Sequence, residues 1–336
     1  MSPTSGNRVF VSQEIFEDAL EEFDGTGIEV DLRRDHHPLP AAELRAVAAD
    51  YDGLICLLTD RIDAEFLAAC PRLRVVANVA VGFDNIDVPA ATRAGVAVTN
   101  TPRVLTDATA DLAFTLLLAT ARRIPEGDAF LRAGKYTHWR VKQEQMGVDV
   151  FGATLGLFGL GQIGRAVARR ARGFDMTVLY HDVQRLPADD EEALGVTYVE
   201  FDELLSRSDF VSVHAPLTDA TRHRFDAAAF ARMKPTAMLI NTARGPIVDE
   251  AALAAALRDG VIAGAGLDVF EREPEVDPQL LQLRERVVLL PHLGSATETT
   301  RREMCRTAAR NVRDALTGKR PENLVNPEVL SGKGAS

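Results

Sequence analysis

The chain alternates between two hydrophobic rhythms almost from end to end. Short apolar runs, "RVFVS", "IEVDL", "GLICLL", "RVVANVAV" and "VAVTN", come before residue 101, and each reads as a strand. Segments with helical spacing, such as "EIFEDALEEF" and "AAELRAVAADY", lie between them. Strands alternating with helices predict βαβ units and a parallel sheet. A second series repeats the pattern with "TLGLFGL", "TVLYHD", "FVSVHA", "AMLINTA", "AGAGLDV" and "RVVLLPH". Its last member reads as a fully buried strand that stops at Pro291 and delivers His292.

Between the two series, "TPRVLTDATADLAFTLLLATARRIPEGDAFLRAGK" reads as one long helix from near Thr106, or two in succession. It is longer than a crossover helix needs to be, so we expect a connector between domains. A further helix, from Thr297 to about Leu316, follows the second series. With a connector on each side, the simplest closure returns the C-terminus to the first domain. The expected fold is α/β, with two parallel-sheet domains. An outer, discontinuous domain spans 1–101 and 296–330, an inserted one spans 102–295, and 331–336 form a tail. No internal repeat or low-complexity segment changes this picture.

The length of 336 residues suits two domains, and 46% hydrophobic residues suffice for two cores. A formal charge of -11 argues against nucleic acid and anionic membranes, which call for surplus Lys and Arg. Cys56, Cys70 and Cys305 fit no metal or redox spacing, so we expect buried thiols and no bound metal. The start "MSPTSGNRVF" has no apolar targeting region, and the run "LAFTLLLATA" is too short to cross a bilayer. Cytoplasm is the expected compartment.

Candidate chemistry begins at "TLGLFGLGQIGRAVARRA", where Gly159, Gly161 and Gly164 form G-x-G-x-x-G between a strand and an amphipathic helix. The first glycine makes a tight turn, the second admits a pyrophosphate, and the third lets helix pack on strand. The helix N-terminus then offers N–H groups and partial positive charge to the phosphate. Asp182 ends the next strand, where a carboxylate accepts from ribose hydroxyls and repels a 2′-phosphate, which favours NAD over NADP. Arg185 close by could instead pair with that phosphate.

In open parallel sheets, ligands sit outside the carboxyl ends of the strands. There "AMLINTARGP" delivers Arg244, "AGAGLDVFEREP" delivers Asp268 and then Glu273, and "RVVLLPHLGS" delivers His292. Singly these are a loop-end cation, one of several acids and a turn histidine. Together, beside a dinucleotide cradle, they suit carbonyl reduction. The arginine can grip a carboxylate, the histidine can protonate a ketone oxygen, and the glutamate can hold the imidazole as donor.

These residues carry a resemblance. "GLGQIGR", "HAPLTDAT", "MLINTARGPIVDE", "GAGLDVFEREP" and "LLPHLGSAT" resemble, in order, the signatures of the D-isomer-specific 2-hydroxyacid dehydrogenases. The similarity runs from about residue 50 to 327. It implies that Arg244 binds substrate, Glu273 orients and His292 donates the proton. It implies cofactor contacts at Thr109, Gln162, Ile163, Ala215, Pro216, Thr221, Thr242, Ala243 and Gly294, with Asp268 on the nicotinamide amide. The inserted domain would be the Rossmann domain. The outer one would be a flavodoxin-like substrate domain, with the active site in the cleft.

"NVAVGFDNIDV" resembles the family's substrate loop, in which backbone N–H groups from Ala80 through Val81 to Gly82 would bind the substrate carboxylate. Phosphite dehydrogenases carry a lysine where this chain has Val81, and formate dehydrogenases lack the partner of the histidine, here Glu273. Long phosphoglycerate dehydrogenases have an added regulatory domain. "TPRVLTDATADLAFTLLLATARRIPEG" and "GKYTHW" are most similar to glyoxylate/hydroxypyruvate reductases. In that branch the connector builds a homodimer, and Trp139 matches an arm tryptophan that approaches the partner's substrate; its plainer role is an interface or core aromatic. The alternatives are another 2-keto acid, such as 2-ketogluconate, or an NADH-sensing binding protein resembling the C-terminal-binding-protein corepressors.

Overall fold

A computed structural model describes residues 6–331. Of the expected tail only Ser331 is among them, closing a 3-10 turn at Pro327–Ser331; residues 332–336 lie outside the described residues. The chain divides into two compact units. The first runs to Leu105 and resumes at Thr297; the second spans Thr106–Ala296. Among the described residues no helix is long and apolar enough to cross a membrane.

The first unit holds strands β1 (Arg8–Val11), β2 (Glu29–Leu32), β3 (Gly53–Cys56), β4 (Val75–Asn78) and β5 (Ala97–Thr99). They pair in parallel in the order β2-β1-β3-β4-β5. Successive strand residues face opposite sides, so each central strand feeds two cores. Phe10, Leu54, Cys56, Val76 and Val98 pack on one side. Val9, Val11, Ile55, Val75 and Ala77 pack on the other against Ala308, Val312 and Leu316 of the C-terminal helix Glu298–Leu316. That helix is capped by Thr297, whose hydroxyl accepts from Thr300 N–H at 3.2 Å. "EIFEDALEEF" forms a 3-10 helix, Glu17–Phe23, tied to the C-terminal helix through Asp18 with Arg302 and Arg306, and Glu22 with Arg310 and Arg313.

The second unit holds β6 (Thr154–Phe158), β7 (Thr177–His181), β8 (Val196–Tyr198), β9 (Phe210–Val213), β10 (Met238–Asn241), β11 (Gly264–Leu267) and β12 (Val287–Leu289). The order is β12-β11-β10-β9-β6-β7-β8, parallel throughout, so the chain reverses direction across the sheet between β6 and β9. β9, β10 and β11 are buried along their whole length, as strands covered by helices on both faces must be.

Of the two readings of the segment after Thr106, two helices in succession is the one that holds, and three other expectations need correcting. The segment after Thr106 is two helices, Thr106–Ala121 and Ile124–Arg132, because Arg123 turns left-handed at φ 52° and Pro125 starts the second. The first of them is a covering helix rather than a bare connector: it buries Ala113, Leu116 and Leu117 with Leu155, Leu157 and Ile240 in the second unit's core. β12 was expected to be fully buried, but it is the edge strand, paired on one side with β11, and its residues are half-buried. A further strand, β8, follows the helix Ala188–Leu194 and has no counterpart in the expected series.

Candidate active site

All strands of the second unit run parallel, so their carboxyl ends share one edge of its sheet. The expected chemistry gathers along that edge. After β6 the chain turns through Gly159 at φ 95°, where a Cβ would come within 2.6 Å of the Ala215 nitrogen. A Cβ at Gly164 would meet the Gly159 carbonyl at 2.4 Å, whereas Gly161 faces open space. The helix Gln162–Ala171 starts directly after Gly161, and its first internal bond runs from Arg165 N–H to Gly161 O. The N–H groups of Gln162, Ile163 and Gly164 therefore have no intrahelical acceptor. This is a cradle for an anion with room on its open side.

Asp182 follows β7, and its Oδ2 accepts from Leu160 N–H at 2.6 Å, tying the glycine turn to the second strand. Ala215, Pro216 and Thr221 follow β9 in one turn, held by a hydrogen bond from the Thr221 hydroxyl to Pro216 O at 2.7 Å. His214 opens this turn beside the glycines. Burial drops its pKa to about 4, so it is neutral at physiological pH, and its Nε2 lies 2.9 Å from Ser212 Oγ.

After β10 the buried Asn241 shapes the Arg244 turn. Its side chain accepts from Ala243 N–H at 3.0 Å and donates to Arg244 O at 2.9 Å. Arg244 Nη1 donates to Ala243 O at 2.8 Å. Thr242 in the same turn has a buried hydroxyl with no hydrogen-bond partner among the described residues, a property that Thr101 of the first unit shares. A buried orphan of this kind is costly unless a ligand completes it.

Asp268, one residue past β11, is fully buried and works as a hub. Its Oδ1 accepts from Leu293 N–H at 2.6 Å and its Oδ2 from Gly294 N–H at 2.8 Å. Its carbonyl accepts from His292 N–H at 2.9 Å. Burial pushes its carboxyl pKa up. The two N–H groups and the charge of His292 pull back without cancelling the rise. Gly294 lies against both Asp268 and Thr109, a buried residue of the helix Thr106–Ala121.

His292 is held in the left-handed region at φ 53°. Its Nδ1 is 2.8 Å from Glu273 Oε2, and Glu273 Oε1 accepts from Phe270 N–H at 3.0 Å. Burial raises the Glu273 pKa. The His292 hydrogen bond and charge, the Phe270 N–H and the charge of Arg244 outweigh this and hold it below the usual range. Both side chains of the pair stay about one-third exposed, open to a substrate. The buried Glu250 supports the loop from below by accepting from Glu271 N–H.

In the first unit, the Ala80–Gly82 turn follows β4. Thr101 N–H donates to Ala80 O at 2.8 Å, Asn100 to Val81 O at 2.7 Å and Asn78 to Gly82 O at 2.8 Å. In a trans peptide the N–H of the next residue points away from the carbonyl, so the Val81 and Gly82 N–H groups face away from the Thr101 and Asn100 donors. Trp139 lies on the arm after Ile124–Arg132 and is 69% exposed, so it is not a core aromatic of its own chain.

The sequence reading missed Asn241, Glu250 and His214. Asn241 and His214 each had a local signal, a polar residue at the end of an apolar strand run. The side chains of the site lie away from the cleft of about 310 Å³ in the second unit, which opens among the amino ends of β10, β11 and β12.

Residues 114–294 match the family model described as D-isomer specific 2-hydroxyacid dehydrogenase, NAD binding domain. The chain is 51% identical over 327 residues to a glyoxylate reductase of Korarchaeum cryptofilum, covering 96% of this chain and 97% of that one. A solved structure from Thermus thermophilus superposes with a TM-score of 0.88 at 42% identity, covering 95% of this chain and 99% of the other. An NADPH-dependent glyoxylate/hydroxypyruvate reductase from Sinorhizobium meliloti, solved with NADP and malonate, superposes with a TM-score of 0.82 at 35% identity, covering 96% and 97%.

Proposed function

The chain belongs to the D-isomer-specific 2-hydroxyacid dehydrogenase family and is an oxidoreductase, and from that premise we propose that it reduces glyoxylate or hydroxypyruvate to the 2-hydroxy acid with NADH. The observation that carries the chemistry is the His292–Glu273 pair at 2.8 Å, with the second carboxylate oxygen fixed by Phe270 N–H. With Nδ1 committed to Glu273, proton donation falls to Nε2. The fixed, ionised glutamate stabilises the charged imidazole before transfer.

The residues fit a dinucleotide. The glycine turn leaves the space that a Cβ at Gly161 would otherwise border, and the Thr242 hydroxyl waits for a partner. When bound, NADH supplies the hydride to the carbonyl carbon. Gly159 to Gly164 hold the pyrophosphate, with Gln162 and Ile163 as N–H donors, and Asp182 takes the ribose. Thr109, Ala215, Pro216, Thr221, Thr242, Ala243 and Gly294 are assigned as its remaining wall. Asp268 is assigned mainly to hold the His292 turn, and its remaining lone pairs to the nicotinamide amide. Arg244 binds the substrate carboxylate or carbonyl and steadies the charge that develops on the oxygen. The Ala80, Val81 and Gly82 peptides are the carboxylate donors of the first unit. Two features favour NADH over NADPH: Asp182 would repel a 2′-phosphate, and Arg185 is already paired with Glu191.

A second copy of the chain is the proposed cover for the arm, along which Leu131 (60%), Trp139 (69%), Val141 (76%) and Met146 (61%) are each exposed. Trp139 is assigned to the partner's substrate.

The test is NADH and NADPH oxidation, followed by absorbance, over a panel of small 2-keto acids. We expect turnover of glyoxylate and hydroxypyruvate. His292→Ala should lower kcat on the order of a hundredfold or more while NADH binding stays nearly unchanged. Normal turnover in His292→Ala removes the proton-donor assignment. NADH binding without turnover on any substrate favours the NADH-sensing role instead.

A further inference from the structure

We propose that Glu191 sets the cofactor preference by clamping Arg185, so that its guanidinium cannot neutralise a 2′-phosphate beside Asp182. The proposal deepens the NADH reading above and rests on it. Asp182 and Arg185 share the loop after β7. Asp182 is tied to the glycine turn through Leu160 N–H, so this loop borders the ribose end of the cradle. Arg185 is the cation that a 2′-phosphate would call on there, and its side chain is 62% exposed.

The structure gives that cation another partner. Arg185 Nε donates to Glu191 Oε1 at 2.9 Å and Nη2 to Oε2 at 2.9 Å, a two-pronged grip on both carboxylate oxygens. Glu191 lies in the helix Ala188–Leu194, and its side chain is only 11% exposed. Its Oε1 also accepts from the Tyr180 hydroxyl at 2.7 Å. Tyr180 is fully buried in β7, and its oxygen accepts from Leu186 N–H at 2.8 Å. The loop is thus pinned on both sides of Arg185, and the guanidinium carbon sits 5.6 Å from the centre of the Tyr198 ring on β8.

Pulling Arg185 away would leave a nearly buried carboxylate without its cation, which is costly. A 2′-phosphate would therefore meet the Asp182 charge uncompensated. A 2′-hydroxyl needs no cation, so NADH loses nothing by the clamp. Selectivity then comes from an unwelcoming group and from the removal of a welcoming one.

Isothermal titration with NADH and with NADPH tests this without relying on turnover, on wild type, Glu191→Gln, Arg185→Ala and the double variant. Glutamine keeps the volume and the oxygen that Tyr180 and Arg185 Nε share, but removes the charge and the acceptor for Nη2, so the guanidinium is held by one neutral bond in place of a two-pronged ion pair. We expect Glu191→Gln to tighten NADPH relative to NADH by about tenfold or more, the scale of one charge-assisted bond. Arg185→Ala alone should leave the ratio as in wild type, and adding it to Glu191→Gln should cancel the gain. An unchanged ratio in Glu191→Gln, or a gain that survives loss of Arg185, overturns the clamp alone. A wild type that binds NADPH more tightly than NADH overturns the NADH reading and the clamp with it.

Discussion

Glu273 sets the acid limit of its pairing with His292. Its folded pKa is depressed, so the stability from its pairing is present above the ordinary glutamate value and is lost as pH falls through the lowered one. The His292–Glu273 pair therefore survives acidification that protonates exposed glutamates. We expect wild-type kcat to keep the pair's contribution down to that range. Glu273→Gln, with the same volume and no charge, should lower kcat roughly tenfold or more and reshape the acid limb. A pH–rate profile of both proteins shows it, and coincident profiles would remove Glu273 from the pair's function. Arg244, Glu273 and His292 were readable in the sequence because each closely follows an apolar strand run. Glu191, Glu250 and Asn241 act through contacts that the linear chain does not display. Glu191, for instance, stands among four acids in "ADDEEAL" and only the fold selects it.

The elements matter here mainly through their ends. Asp268 fastens the edge strand β12 and its turn to β11 through three backbone N–H groups. Asp268→Asn puts an amide nitrogen, which cannot accept, against one of two buried N–H donors. The expected cost is about 1–3 kcal/mol, read as a lower Tm, together with reduced kcat as His292 loses its support. A variant with unchanged Tm and kcat would show that the turn holds itself. The strand series was legible because the covered strands are near-continuous apolar runs. β8 was not, since "VTY" is only three residues long with an exposed centre. The break before Ile124 was ambiguous because both flanks keep helical spacing, and only the left-handed Arg123 separates them. β12 was misread because an apolar composition does not reveal whether a strand has one neighbour or two.

At the scale of the whole molecule, the arm carries large apolar side chains that no described residue of the same copy covers. Sedimentation should find twice the mass of one chain, and Leu131→Glu combined with Val141→Glu should return it to a single copy. A wild type that sediments as a monomer would dismiss the second copy. The division into two units has a separate consequence for how the protein is made. One face of the first unit's sheet is finished by Ala308, Val312 and Leu316. A nascent chain that has already emerged past β5 still lacks the helix that covers Val9, Ile55 and Val75. The second unit is contiguous in sequence and can close its core first. The earliest strands to leave the ribosome are thus among the last to be sealed, and in the interval Val9, Ile55 and Val75 have no helix over them.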